Sequence, residues 1–212
     1  MKRLMLCLLP AFSALPGLGR ELAGPAPALT IYTQFANPPT ELSVQYMKTE
    51  LSAIVAPLDM HLDWCSLDET DGHQVKAELL VVRFKGTCQV NVLPPVPSRA
   101  GALGWTHVSD GQILPFTDVD CDRIRQVMES PLIMAIPMER AKLLGRAMAR
   151  VLAHEIYHFL TNTTGHSSTG IAKSTYSVGE LTAQYLRFQL AELEAIRKHR
   201  LHSAGEPDFG SP

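Results

Sequence analysis

The chain has 212 residues, of which 46% are apolar and 19% are charged, and its formal net charge is −2. A chain of this length and apolar content can bury one well-packed domain, but it is too short for two large ones. The near-neutral charge gives no electrostatic case for binding nucleic acid, so no partner of that class is expected.

The first 24 residues have the pattern of a signal peptide. Two basic residues precede a short apolar run over residues 4–15, and small residues follow up to Gly24, where cleavage would occur. The run is shorter than the roughly 20 residues that span a bilayer, so no stable membrane insertion is expected. The sequence therefore predicts an exported protein, secreted or periplasmic after signal-peptide removal, with one domain over residues 25–203 and a flexible tail over residues 204–212.

Removal of the signal peptide leaves three cysteines, Cys65, Cys88 and Cys121. An odd number in a compartment that permits disulfides is most simply explained by one bridge and one free thiol. The sequence does not show which two of these cysteines form the bridge. The cysteines are too far apart to have the short spacing of a structural zinc site.

The first half of the mature chain predicts a strand, a helix and two further strands. Residues 29–35 alternate as a strand does, and Asn37 with the two prolines after it ends that strand and starts a helix. The predicted helix carries one apolar stripe for core packing, formed by Val44, Met47, Leu51, Ile54, Val55 and Leu58. Strands are expected next over residues 60–64 and 77–84, and the strand, helix, strand order favours parallel neighbours.

The second half predicts a hairpin followed by helices. Asp110 and Gly111 form a two-residue hairpin signal between strands expected over residues 102–108 and 112–116. Three helices are predicted after the hairpin, over residues 119–129, 137–160 and 178–200. The second of these begins with a proline, a residue favoured at the first helical position.

The long predicted helix contains His154, Glu155 and His158 in an HExxH arrangement. Residues four apart share a face of a helix, so the two imidazoles can hold one tetrahedral cation. Glu155, about 100° round the helix, would reach water at that cation rather than the cation itself. A lone histidine on an apolar face is more often a satisfied core residue, but one metal would satisfy both histidines together. The motif therefore predicts a zinc site with its own general base.

A catalytic zinc site has three protein ligands, and the best candidate for the third is His166. On an unbroken helix His166 would lie about 12 Å along the axis from His158, so the helix must end between them. Asn162 and Gly165, together with the threonines around them, supply a helix stop and a left-handed turn that would return His166 to the metal.

These residues make the sequence resemble the zincin metallopeptidases, and within them the metzincins, whose pattern is HExxHxxGxxH. This chain has Thr161 at the position of the metzincin glycine and Thr164 at that of the third histidine, so His166 comes two residues later. No methionine follows Met148 to form the methionine turn of that family. The chain is thus metzincin-like, with an atypical HExxHxxxxxxxH motif.

The same resemblance leaves a second candidate for the third ligand. The gluzincin branch of the zincins uses a glutamate on a later helix, and Glu180 has that place in this chain. Glu180 also completes a capping-box pattern with Ser177, which would give it an ordinary structural role. His166 and Glu180 both remain open at this point.

The resemblance implies a single zincin-like domain of the α/β (α+β) class, with a small mixed sheet, an active-site helix and a C-terminal helix. It implies a zinc metalloendopeptidase in which Zn²⁺ activates water, Glu155 takes the proton of that water, and Tyr176 would donate a hydrogen bond to the oxyanion. By resemblance, residues 104–107 form an antiparallel edge strand that pairs with the substrate backbone. The alternative is an ordinary edge strand with Trp105 packed in the core.

Two other functions fit the same residues. A non-catalytic secreted protein could keep zinc as a structural staple, although a closed structural site has no use for Glu155 as a base. A metal-dependent hydrolase could also act on a non-peptide bond, because activated water attacks other carbonyls as well. We expect a peptide or protein substrate and a monomeric protein.

Overall fold

The computed structural model describes residues 28–70, 76, 78–91 and 100–205. The predicted signal peptide over residues 1–24 lies outside the described residues, as does the predicted tail beyond residue 205. In the part that the structure describes, no helix combines the length and the hydropathy that crossing a bilayer requires.

Five strands form one mixed sheet in the order β2-β1-β3-β5-β4. The strands are β1 (Ala28–Asn37), β2 (His61–Ser66), β3 (Leu79–Thr87), β4 (Gly104–Ser109) and β5 (Gln112–Asp120). β1 is parallel to β2 and β3, and β3 is parallel to β5, whereas β4 is antiparallel to β5. The predicted parallel strands, the hairpin and its antiparallel edge strand are confirmed.

Six α-helices accompany the sheet in the described part of the chain. They are α1 (Glu41–Val55), α2 (Cys121–Val127), α3 (Glu129–Met134), α4 (Pro137–Thr161), α5 (Val178–Thr182) and α6 (Leu190–Gly205). α1 packs against α4, and both share one core with the buried face of β3. A Cβ on Gly145 of α4 would lie 2.4 Å from the main-chain oxygen of Ser43, so only glycine lets the two helices approach this closely.

The prediction of one last helix over residues 178–200 is wrong, because the chain forms two helices with a break between them. Arg150 of α4 is fully buried, and its guanidinium donates to the main-chain oxygens of Glu180 and Ala183. Arg146 donates to the main-chain oxygen of Thr182 at 3.2 Å. α4 thus binds carbonyls that a continuing helix would need for its own hydrogen bonds.

The helix predicted over residues 119–129 begins later, at Cys121, because β5 extends to Asp120. The Asp120 side chain accepts a hydrogen bond from the main-chain N–H of Arg123, which caps α2. A disulfide joins Cys121 to Cys88, and Cys65 is free. The bridge therefore ties the start of α2 to the segment after β3, which resolves the pairing that the sequence left open.

Asp118 of β5 is a buried carboxylate that holds three strands together. It accepts hydrogen bonds from Arg83 of β3 at 2.9 Å and from His107 of β4 at 2.7 Å, and the Lys85 ammonium lies 3.2 Å away. Burial alone would raise the pKa of Asp118, but the hydrogen bonds from these three side chains outweigh burial and lower that pKa.

Candidate metal centre

The residues of the HExxH motif lie on the long helix α4, as the sequence predicts. His154, Glu155 and His158 are 9%, 2% and 6% exposed, and the helix runs unbroken from Pro137 through all three. The two histidines share one face because they are four residues apart. Neither ring is an ordinary core side chain, since the two Nε2 atoms face each other at 3.0 Å.

Main-chain carbonyls fix the orientation of both rings. His154 Nδ1 lies 2.9 Å from the oxygen of Ile171, and His158 Nδ1 lies 2.7 Å from the oxygen of Thr163. A carbonyl oxygen only accepts, so each Nδ1 carries the proton and donates. In the neutral rings both Nε2 atoms then present lone pairs to the same point. Two facing lone pairs need a cation, and the donor set therefore fits a metal ion.

Burial keeps these imidazoles in the form that binds a metal. Burial lowers the pKa of His154 to about 4. It also lowers the pKa of His158. Both rings are therefore neutral near pH 7, and a neutral imidazole is the form that ligates a metal without first losing a proton.

The chain returns to these histidines immediately after α4 ends. Asn162 is the C-terminal cap, with a left-handed φ of 45°, and its side chain accepts from the main-chain N–H of Ile113 at 3.1 Å. Beyond this turn the His166 ring lies 5.2 Å from the His154 ring and 4.9 Å from the His158 ring, between centroids. Ligand atoms of the three histidines all lie within 4.8 Å of one another. The left-handed residue is Asn162 and not Gly165.

Glu180, the rival third ligand, lies outside this cluster of histidines. Its carboxylate accepts from the main-chain N–H and the hydroxyl of Ser177 at 2.8 and 2.7 Å, which completes the predicted capping box of α5. Lys173 forms an ion pair with the same carboxylate. The hydrogen bonds from Lys173 and Ser177 lower the pKa of Glu180 to about 2. The structure therefore brings His166, and not Glu180, to the helical pair.

Glu155 is held between α4 and the edge strand β4. Thr106 donates from its hydroxyl to Glu155 Oε2 at 2.8 Å. Burial raises the pKa of Glu155 to about 7. A Cβ on Gly104 would lie 2.9 Å from Oε1 of Glu155, so any larger residue there would require the carboxylate to move. Thr106 thus fixes Oε2 of Glu155, and Oε1 lies beside Gly104 of the strand that borders the cleft.

Tyr176 also reaches the centre, but its hydroxyl has a partner in the protein. It donates to the carbonyl of Ile171, which is also the acceptor for His154 Nδ1. Burial raises the pKa of Tyr176, so the phenol keeps its proton. In this arrangement Tyr176 helps to hold the acceptor that orients a metal ligand. Its predicted bond to an oxyanion would require the hydroxyl to leave Ile171 and remains a prediction.

A cavity of about 420 Å³ opens beside the histidines. The cavity is lined by residues of β4 and of the segment before it, and also by Val151, Glu155 and Tyr176. Its volume is in the range of small-ligand pockets. The cationic side chains lining the described part of the cavity are those of Arg123 and Lys173, and the acidic one is that of Glu155. Arg123 donates to neutral oxygens, those of the Gly101 carbonyl and the Gln126 amide.

The residues that hold the ligands in place are not evident from the sequence. Thr106 lies 49 residues from Glu155, and the carbonyls of Ile171 and Thr163 belong to residues with no side-chain role in the site. Every residue has a main-chain carbonyl, so the residue type does not show which carbonyl accepts a hydrogen bond from a ligand. The buried Glu192, which binds the segment containing Ile171, is also absent from the predicted site.

Comparison with solved structures finds a similarity to the crystal structure of archaemetzincin from Methanopyrus kandleri. The two chains are 12% identical with a TM-score of 0.50, and the match covers 84% of this chain and 98% of that chain. At this identity the similarity shows the fold, a mixed α/β domain like that of archaemetzincin. No protein-family model matches the sequence, and no curated protein sequence matches it.

Proposed function

We propose that the chain is a zinc-dependent metallopeptidase. The observation that carries the proposal is the pair His154 and His158, whose Nε2 atoms face each other at 3.0 Å while both Nδ1 atoms donate to main-chain carbonyls. His166 adds a third nitrogen. The metzincin-like motif and a fold similar to a protein whose name places it among the metzincins support the same assignment.

The chain supplies a base beside the metal ligands. A zinc ion held by the three histidines would lower the pKa of water and polarise the scissile carbonyl. Glu155, a buried carboxylate beside the ligands, is placed to take a proton from water and to pass it to the leaving amine. Thr106 holds one carboxylate oxygen of Glu155 and leaves the other to exchange the proton. A purely structural zinc site would have no use for this base.

The edge strand favours a peptide as the substrate. In the described part of the sheet, β4 pairs with β5 on one side only. An extended peptide can add to such an edge through main-chain hydrogen bonds, with its side chains entering the adjacent cavity. Trp105 is half-buried, with the Lys85 ammonium 4.5 Å from its ring centroid, and is not part of the buried core. These features support cleavage of internal peptide bonds.

We also propose that the mature protein is exported and starts near residue 25. The support is the basic and apolar N-terminal pattern together with the Cys88–Cys121 disulfide, since disulfides persist in oxidising compartments. Amino-terminal sequencing of the secreted or periplasmic protein should find a start close to residue 25. A chain that still begins at Met1 in the cytosol would contradict export.

The peptidase proposal is tested with zinc-loaded mature protein and a panel of internally quenched peptides. Wild-type protein should cleave at least one peptide, lose activity when a chelator removes zinc, and regain it when zinc is restored. Glu155→Gln should be inactive, whereas Glu139→Gln, the same change near the start of α4, should keep full activity. A zinc-loaded wild type that cleaves no peptide, with a fourth protein ligand on the metal, would make the zinc structural.

A further inference from the structure

Glu192 of α6 is a buried carboxylate, 3% exposed, whose four hydrogen-bond donors are all uncharged. Its Oε1 accepts from the hydroxyl of Ser167 at 2.7 Å and from the main-chain N–H of Ala172 at 2.8 Å. Its Oε2 accepts from the main-chain N–H groups of Ile171 at 3.3 Å and Gln189 at 2.7 Å. A buried carboxylate is tolerated only because it is hydrogen-bonded, so breaking any of these contacts would cost free energy.

Three of the four donors belong to residues 167–172, which we name the floor loop. The loop closes on itself through a hydrogen bond from the Ser167 main-chain N–H to the Ala172 oxygen at 2.9 Å. Gly170 has a left-handed φ of 80°, and a Cβ there would lie 2.6 Å from Oε2 of Glu192. The floor loop therefore packs directly against this carboxylate, at a distance that only a glycine at position 170 permits.

Within the floor loop, Ile171 joins Glu192 to the metal centre. The N–H of Ile171 donates to Glu192, and the carbonyl of Ile171 accepts from His154 Nδ1 at 2.9 Å and from the Tyr176 hydroxyl. Ile171 is fully buried, so water does not compete for these bonds. Any shift of Ile171 away from Glu192 would move the acceptor that sets the orientation and the proton of the His154 ring.

We infer that Glu192 is a positioning residue of the metal centre, one that raises affinity for zinc by fixing the floor loop under His154. The inference depends on the metal site of the proposed function and not on peptide cleavage. Glu192 has a second role, because it is the third residue of α6 and caps the start of that helix through the N–H of Gln189. An experiment must separate weaker zinc binding from a weaker helix.

The experiment is a zinc affinity measurement by competition with a chromophoric chelator, on folded mature protein. Glu192→Gln keeps the size of the side chain but places an amide N–H₂ against one pair of donors, so the floor loop must move. The control is Ile196→Ala, which opens a cavity one turn further along α6 at a fully buried position and leaves the carboxylate in place. Thermal unfolding of the metal-free proteins measures how far each variant is destabilised.

Glu192→Gln should weaken zinc binding by about tenfold, the lower end of what loss of a residue behind a metal ligand produces. Ile196→Ala should bind zinc within about twofold of wild type even at a comparable loss of thermal stability. Hydrogen exchange should be faster at the amides of Ile171 and Ala172 in Glu192→Gln, because both donate to the carboxylate.

Wild-type zinc affinity in Glu192→Gln, or an equal loss in Ile196→Ala, would overturn the inference and leave Glu192 as a helix cap. If Glu192→Gln does not fold, Glu192→Asp replaces it, since the shorter side chain keeps the carboxylate but withdraws it from its donors in the floor loop. It should weaken zinc binding by a smaller factor in the same direction, and unchanged affinity would overturn the inference. Because affinity is the readout, a protein that binds zinc but cleaves no peptide refutes the proposed function alone.

Discussion

Gly104 of β4 lies against the metal helix, and Gly104→Ala should disable the site while the protein stays folded. The added Cβ would lie 2.8 Å from Val151 Cγ1, 2.9 Å from Glu155 Oε1 and 3.1 Å from the main-chain oxygen of Asp118. Ordinary contact begins at 3.4 Å. The Val151 side chain and the Glu155 carboxylate must therefore move by about 0.6 Å and about 0.5 Å, displacements that well-packed atoms resist.

The expected cost follows from that displacement. Overpacking of this kind lowers the free energy of unfolding by about 1–3 kcal/mol. A shift of Glu155 by a large fraction of an ångström should lower kcat/KM by about 10- to 100-fold. The assay is kcat/KM on a quenched peptide, with zinc content and thermal unfolding measured on the same protein. Zinc should remain bound, because the change does not touch a histidine of the cluster.

Gly179→Ala is the matched control, since a Cβ there meets its nearest atom, the Ser177 hydroxyl oxygen, at 3.8 Å. That variant should keep wild-type kcat/KM. A Gly104→Ala protein whose kcat/KM stays within about twofold of wild type would refute the close approach of β4 to Glu155 as a requirement for activity.

Three charged residues give further predictions. Glu155→Ala should reduce turnover by at least about 100-fold with bound zinc nearly unchanged in metal analysis, and loss of the zinc would count against its role as a base. Wild type should cleave a peptide with glutamate beside the scissile bond faster than the same peptide with lysine there, and Arg123→Glu should reverse this preference. An unchanged ratio of the two cleavage rates in the variant would contradict the role of Arg123. Asp118→Asn should lower the free energy of unfolding by about 2 kcal/mol at pH 7 in denaturant titrations. Because the folded-state pKa of Asp118 is lowered, its contribution to the free energy of unfolding is present above the ordinary aspartate pKa and is lost as pH falls through the folded-state pKa. If Asp118→Asn remains less stable than wild type by the same amount in acid, this role of Asp118 is contradicted.

The features that the sequence predicts correctly are decided by residues close together in the chain. The Asp110–Gly111 turn has left-handed φ angles of 50° and 78°, as its residue types favour, and it forms the hairpin. Pro137 begins α4, and the spacing of the motif places two histidines on one face. Asn162 ends that helix because it tolerates the left-handed conformation. These local patterns predict the elements of the mixed α/β fold and place the two histidines on one face of α4.

The features that the sequence does not predict depend on contacts between distant residues. At the break of the last helix Arg150 binds carbonyls 30 and 33 residues away, and no residue near 183 indicates these bonds. Glu192 looks like one more acidic residue of an amphipathic helix, yet it anchors a loop 20 residues earlier. The choice between His166 and Glu180 as the third ligand likewise depends on how the chain turns after α4, which spacing alone leaves open.

The most direct test of the account is the zinc stoichiometry of purified mature protein beside its His166→Ala and Glu180→Ala variants. We predict that wild type and Glu180→Ala each bind one zinc per chain and that His166→Ala loses it, because the structure places His166 with the helical pair and Glu180 with Lys173. A folded wild type without zinc affinity, or a zinc that is lost with Glu180 and kept without His166, would contradict it.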